Sequence, residues 1–267
     1  MERGPIVAGQ FYPRRADVLK EEIAKCLIAT KVKKEVKGIL LPHAGYIYSG
    51  KVAGAVLSQI KIPETFIILG PNHAGVGHSF ALWPEGSWQT PLGSIEVDKE
   101  LAEAILKRSS LVEIDYQAHL QEHSLEVQLP FIQYLAPSAK IVPLVVKYGS
   151  FHQLKKISQT LVKVVESGNK RVVLVASSDM THYQPRETAE KQDKLVLEPL
   201  LKLETRRFLD TVIENNISMC GYIPAAIMIL TSKALGAKTG KLVMYTTSGE
   251  ASGDYSHVVG YAGVTVE

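Results

Sequence analysis

Four apolar runs in this sequence end on residues that could bind a metal or move a proton. "ILLPH" ends on His43, "IILGPNH" on His73, "VLVASSDMTH" on Asp179 and His182, and "VMYTTSGE" leads to Glu250. Neutral imidazole suits Fe, Cu and Zn, and two histidines plus one carboxylate on one face leave positions open for substrate or oxygen, as in non-heme Fe(II) oxygenases. The pattern points to His43 and His73 as the imidazoles, with Glu250 the first choice of carboxylate and Asp179 the second. His182 follows Asp179 by three residues, so a helical turn would let the carboxylate orient the ring. An oriented imidazole of near-neutral pKa exchanges protons, which gives His182 the acid/base role. Gly45, Gly70, Gly75 and Gly249 would let the backbone turn tightly close to a ligand. A lone histidine beside a turn is ordinarily a surface or core residue, and His78, His152 and His257 keep that reading. Recurrence at several strand ends is what lifts the others out of it.

"HLQEH", His119 to His123, competes for the chemistry because it matches H-x-x-E-H, in which two helical histidines hold zinc and the glutamate between them, here Glu122, serves as base. It ranks below the strand-end site. Short motifs arise by chance, no glutamate-bearing partner helix follows, and Leu125, Val127, Leu129 and Phe131 read as a partly buried face. His123 is retained as a candidate site residue. Phosphate-binding G-x-x-x-x-G-K-[ST], dinucleotide-binding G-x-G-x-x-G and the hydrolase elbow G-x-S-x-G do not occur, and nothing marks Ser177 or Ser178 as a nucleophile.

The elements that must position these residues alternate. Helical spacing is expected over 16–29, from 51 to 60, over 98–108, over 119–136 with a kink at Pro130, over 152–167 closed by Gly168, and over 190–215 and 224–236. "GILL", "FIIL", "KIVPLVV" and "RVVLVASSD" are continuous apolar runs of the kind buried on both faces of a parallel sheet, and "KLVMYTTS" and "VVGYAGVTV" close the chain. Strand, helix, strand implies a right-handed crossover. The expectation is an α/β fold: a single three-layer αβα domain over 1–267 with a mainly parallel central sheet. In such sheets ligands sit in the crevice outside the carboxyl ends of the strands, where the four polar endings fall.

The 267 residues can bury a substantial core, and the formal charge of +3 is spread along the chain. "KVKKEVK" at 31–37 reads as a solvated face rather than a nucleic-acid footprint. No apolar run approaches the roughly 20 residues that cross a bilayer, and the N-terminus lacks the order of a secretory signal. The two cysteines, Cys26 and Cys220, have no paired spacing. A cytoplasmic protein without nucleic-acid or membrane partners is expected.

Taken in order, "LPHAGYIYSG", "ILGPNHAG", "TPLG", "QEHSLEVQLPF", "SSDMTHY" and "CGYIPAAIMIL" resemble the motifs of the MEMO family, whose prokaryotic members are often called AmmeMemoRadiSam system protein B. The resemblance spans nearly the whole chain. It implies a fold similar to class III extradiol dioxygenases with a metal pocket at the strand ends, in which His43 and His73 match metal-site histidines. Asp179 and His182 match the polar pair of that pocket, and His123 falls on a further motif histidine. Animal members carry a cysteine as third metal-site residue shortly after a strand, whereas "YTTSGEASGDYS" has none and places Glu250 or Ala251 there. Family membership leaves the reaction open; the convergence of His43, His73 and Glu250 makes the leading expectation an Fe(II)-dependent oxidoreductase of dioxygenase type, with Cu or Zn as other metals. Its substrate would be a catechol-like or ene-diol small molecule, with His182 taking the hydroxyl proton and His123 returning one. The alternative is a binding or scaffold protein whose vestigial pocket recognises a peptide or small ligand, in keeping with the link of animal members to signalling and motility. A zinc peptidase on His119, Glu122 and His123 ranks third.

Overall fold

A computed structural model describes residues 1–267. Its strands are β1 (Glu2–Arg3), β2 (Gly38–Leu41), β3 (Thr65–Pro71), β4 (Phe80–Leu82), β5 (Ser87–Thr90), β6 (Gly93–Glu96), β7 (Glu113–Ile114), β8 (Lys140–Val146), β9 (Val172–Ser177), β10 (His182–Gln184), β11 (Gly240–Thr247) and β12 (Val258–Val266). The helices are α1 (Ala16–Cys26), α2 (Tyr46–Gln59), α3 (Lys99–Arg108), α4 (Gln117–Leu120), α5 (Leu129–Leu135), α6 (Phe151–Ser167), α7 (Arg186–Leu201), α8 (Thr205–Glu214), α9 (Tyr222–Ala234) and α10 (Gly249–Ser252).

The continuous apolar runs β2, β9, β3 and β8 lie side by side and parallel at the centre of the main sheet. β12 and β4 flank them antiparallel, β11 and β10 pair with β12, and β7 pairs with β4. Alternate residues of one run face opposite ways, which is why no polar face interrupts them. Ile39, Leu41, Phe66, Ile68, Val173 and Val175 meet α1, α2 and α5 on one side, while Leu40, Ile67, Leu69, Leu174 and Ala176 meet α6, α8 and α9 on the other. The protein is a three-layer α/β fold. A small second sheet, β1-β5-β6, holds the N-terminus. No helix is long and apolar enough to cross a membrane.

Two expected helices are divided. Residues 119–136 form α4, an irregular loop, a 3₁₀ turn at Glu126–Gln128 and α5. Pro130 sits in the first turn of α5, where a missing N–H costs nothing, so it starts a helix instead of kinking one. Residues 190–215 break between α7 and α8, where Leu203 adopts a positive φ of 55°. Gly70 serves close approach rather than a turn: a Cβ there would overlap Leu125 and Ser124, so only glycine lets the loop carrying His123 lie on β3.

Asp98 anchors the opposite end of the sheet. Its carboxylate caps α3 through the Leu101 amide at 3.2 Å, accepts from Thr65 Oγ1 at 2.7 Å and pairs with Lys170 Nζ at 3.1 Å. Burial works to raise its pKa, but these three partners outweigh it and hold the carboxyl below its usual value. A carboxyl depressed in the folded state adds stability above its unfolded pKa and loses it as pH falls through the folded one. Asp98→Ala is therefore expected to cost about 1–2 kcal/mol at neutral pH. Thermal melts should show that difference narrowing below about pH 4.

Candidate metal centre

Three imidazoles meet at the carboxyl ends of the parallel strands. His43 follows β2 across Pro42, His73 follows β3 across Asn72, and His123 comes from the irregular loop after α4. One ring nitrogen from each lies within 4.8 Å of the other two. The rings of His43 and His73 stand edge to face at 5.2 Å, and those of His73 and His123 stack at 4.7 Å.

His43 is buried, and its neighbours assign its tautomer. The Ser177 hydroxyl donates to the Ser124 carbonyl at 2.7 Å, which leaves its oxygen to accept from Gln128 Nε2 at 3.0 Å and from His43 Nδ1 at 2.9 Å. Nδ1 therefore carries the proton and Nε2 keeps its lone pair. The main-chain N–H of His43 donates to Asp179 Oδ1 at 2.8 Å, which fixes the backbone beneath the ring. Burial, with a smaller contribution from the charge of His73, pulls the His43 pKa down to about 3, so the ring is neutral at neutral pH.

His73 is oriented by a different residue, the fully buried Glu122. Its Nδ1 lies 2.9 Å from Glu122 Oε1 and its main-chain N–H donates to Oε2 at 2.6 Å, while the Ser124 amide donates to Oε1 at 2.8 Å. Burial alone would lift the Glu122 pKa, yet His73 and Ser124 bring it down to about 2. Burial likewise works against the charged form of His73, but the bond and charge of Glu122 outweigh it and raise that pKa. A carboxylate on Nδ1 fixes the tautomer and makes Nε2 a better ligand, the usual arrangement around a metal-bound histidine. His123 is partly exposed, packs edge-on against Phe11 at 4.9 Å, and is held down to about 4 by burial and then by His43. Three converging imidazoles, two of them with an Nδ1 partner already in place, fit a divalent transition metal.

Other candidate residues fall differently. Asp179 reaches the cluster's edge, its Oδ2 4.0 Å from His43 Nε2, and burial raises its pKa. It does not orient His182, because the intervening turn is not helical and His182 lies in β10. The His182 Nδ1 instead donates to the Ser218 carbonyl at 2.9 Å, and the main-chain N–H to Ser218 Oγ at 2.8 Å. Glu250 does not join the cluster. The first turn of α10 points its carboxylate back to Thr247, whose N–H and Oγ1 donate at 2.9 and 2.6 Å, and Arg186 Nη2 pairs with it at 3.1 Å. His119 is fully buried between Trp83 and Trp88, with Nε2 3.0 Å from the Ala81 carbonyl, and burial lowers its pKa to about 3. The H-x-x-E-H pattern therefore sends its two histidines in opposite directions, because α4 ends at Leu120 and the residues share no helix face.

A cysteine does reach the centre, from the segment leading into α9. Cys220 Sγ lies 3.3 Å from His43 Nε2 and accepts from the Asp179 amide at 3.3 Å. Sequence reasoning passed over it for want of a second cysteine nearby. The available signal was Gly221, where a Cβ would overlap Ser177 and Ser178: the glycine lets the start of α9 press against the end of β9.

The Memo-like protein family profile matches residues 3–265 of the chain. A MEMO1 family protein of Aquifex aeolicus is 43% identical over 268 residues, covering 98% of both chains. One from Methanosarcina acetivorans is 42% identical over 267 residues and 99% of both, and one from Methanopyrus kandleri 41% identical over 278 residues, 99% of this chain and 98% of the relative. An uncharacterized protein of Escherichia coli K12, known from its crystal structure, shares the fold with a TM-score of 0.59 at 13% identity, over 86% of this chain and 100% of that one.

Proposed function

The chain belongs to the Memo-like protein family, and from that premise we propose that it is a metal-binding protein working as a non-heme Fe(II) oxidoreductase of the dioxygenase type on a catechol-like or ene-diol small molecule. The observation that carries the reading is the convergence of His43, His73 and His123, with their ligating nitrogens within 4.8 Å at the carboxyl end of the sheet. His123 takes a ligand place here rather than the proton-donating one expected from sequence. Asp179 and Cys220 face the same space as further donors, and the thiol, a soft ligand, favours Cu or Zn as the alternatives to iron. Fe(II) would supply Lewis-acid polarisation of the paired hydroxyls and redox capacity toward O₂.

The remaining steps belong to side chains. Ser177 and Glu122 hold His43 and His73 with Nε2 turned inward. Phe11 keeps one side of His123 apolar. His182, its Nδ1–H committed to the Ser218 carbonyl, presents Nε2 as the base that takes a hydroxyl proton. Oxygen uptake by iron-loaded protein with a panel of catechols tests the proposal. The expected result is consumption that His182→Ala lowers by about 10²- to 10⁴-fold with iron content unchanged. No consumption by fully iron-loaded wild type overturns the dioxygenase reading in favour of a pocket that binds a peptide or small ligand without turning it over.

A further inference from the structure

The segment carrying Glu122 and His123 has no continuous helical ladder, since α4 ends at Leu120 and the next turn begins at Glu126; its local backbone bonds include Glu122 N–H to the His119 carbonyl at 3.3 Å and Val127 N–H to the His123 carbonyl at 3.0 Å. The third residue of the chain ties it down from outside. Arg3 is 2% exposed, and its guanidinium donates through Nε to the His119 carbonyl at 2.8 Å, through Nη2 to the Glu122 carbonyl at 2.7 Å and through Nη1 to Glu126 Oε2 at 2.7 Å. The cation also lies over the Trp88 ring at 4.2 Å. Glu126 completes the grip by accepting from the Ile6 and Val7 amides at 3.0 Å and from the Tyr12 hydroxyl at 2.7 Å. The three groups that Arg3 fixes bracket His123 from both sides in sequence. From the opposite side the Glu122 carboxylate reaches His73 and Ser124.

A buried ion pair is a poor source of stability compared with apolar residues of the same volume, so its presence beside a site suggests a geometric duty. We infer that Arg3 is a positioning residue, an N-terminal clamp that sets where Glu122 and His123 stand and thereby the affinity of the metal centre. The inference rests on the metal reading above. Arginine is the side chain suited to it: a planar fork reaches two carbonyls and a carboxylate at fixed angles, whereas a lysine ammonium keeps the charge opposite Glu126 without spanning all three.

The test compares wild type, Arg3→Lys and Asp98→Asn by Co(II) titration and by hydrogen exchange of peptides covering 119–127, well below the melting temperature of each. Arg3→Lys is expected to weaken Co(II) binding about 10- to 100-fold, with faster exchange confined to that segment. Asp98→Asn, destabilised at the far end of the sheet, should leave both unchanged. Should Arg3→Lys fail to fold, Arg3→Met combined with Glu126→Gln removes both charges together and is expected to show the same loss. Unaltered affinity and exchange in the folded clamp variant, or an equal loss in Asp98→Asn, overturns the inference. If wild type takes up no Co(II), the metal reading fails, and the clamp then stands or falls on exchange in 119–127 alone.

Discussion

His43→Ala and His73→Ala are each expected to abolish stoichiometric metal uptake, while His119→Ala should retain it. His43 and His73 have Nδ1 atoms already bonded to Ser177 and Glu122, so each contributes a preset Nε2 to the centre. Loss of an outer partner of a ligand typically costs about 10- to 100-fold in metal affinity, and loss of the ligand itself should exceed that. His119 has its Nε2 turned to the Ala81 carbonyl and its ring between two tryptophans, so its removal opens a cavity in the core instead. Elemental analysis of anaerobically purified protein, beside a thermal melt of each variant, separates the two effects. Equal metal content in wild type and a His43→Ala/His73→Ala variant would sink the site. Metal lost in His119→Ala, at unchanged fold, would restore the peptidase reading.

Glu126→Ala should produce the largest loss of stability available from one substitution near the centre. Removing the carboxylate strands the Arg3 guanidinium in the core beside Trp88 and leaves the Ile6 and Val7 amides and the Tyr12 hydroxyl without their acceptor. Breaking a buried pair by deleting one partner costs about 3–5 kcal/mol. For a chain of this size that corresponds to a melting temperature lower by roughly 10 °C, at about 2–4 °C per kcal/mol. Replacing both charges, as in Arg3→Met with Glu126→Gln, should recover part of the loss, because the uncompensated cation is then gone. Denaturant titration of the two single variants and the double one measures the coupling. A loss of less than about 1 kcal/mol in Glu126→Ala would mean that water reaches Arg3 and that the pair does not fasten the N-terminus.

The alternation of strand and helix was legible in the sequence because it is written locally. β12 runs over the same nine residues that the apolar run marked, and the limits of α3 and α6 differ from expectation by a single residue. The two divided helices were not legible. Pro130 is compatible with a kink or a start, and only the pull of Glu122, Ser124 and Glu126 toward distant partners decides for the start. His43 and His73 were readable as a pair for the same local reason as the strands: each stands two residues beyond a buried parallel strand, so the sheet alone brings them to one rim.

The sequence by itself determined the α/β class, the parallel core and the presence of two imidazoles at its carboxyl edge. Tertiary structure alone decided the rest of the centre. It brought His123 in from a loop held by Arg3 and Cys220 from the start of α9, turned Glu250 away to Thr247 and Arg186, and sent His119 into the core. Residue type and spacing report which backbone segments are buried, because burial has a period. The direction of a loop side chain has none. It follows from which partner, often more than a hundred positions away along the chain, satisfies a buried polar group at the lowest free energy.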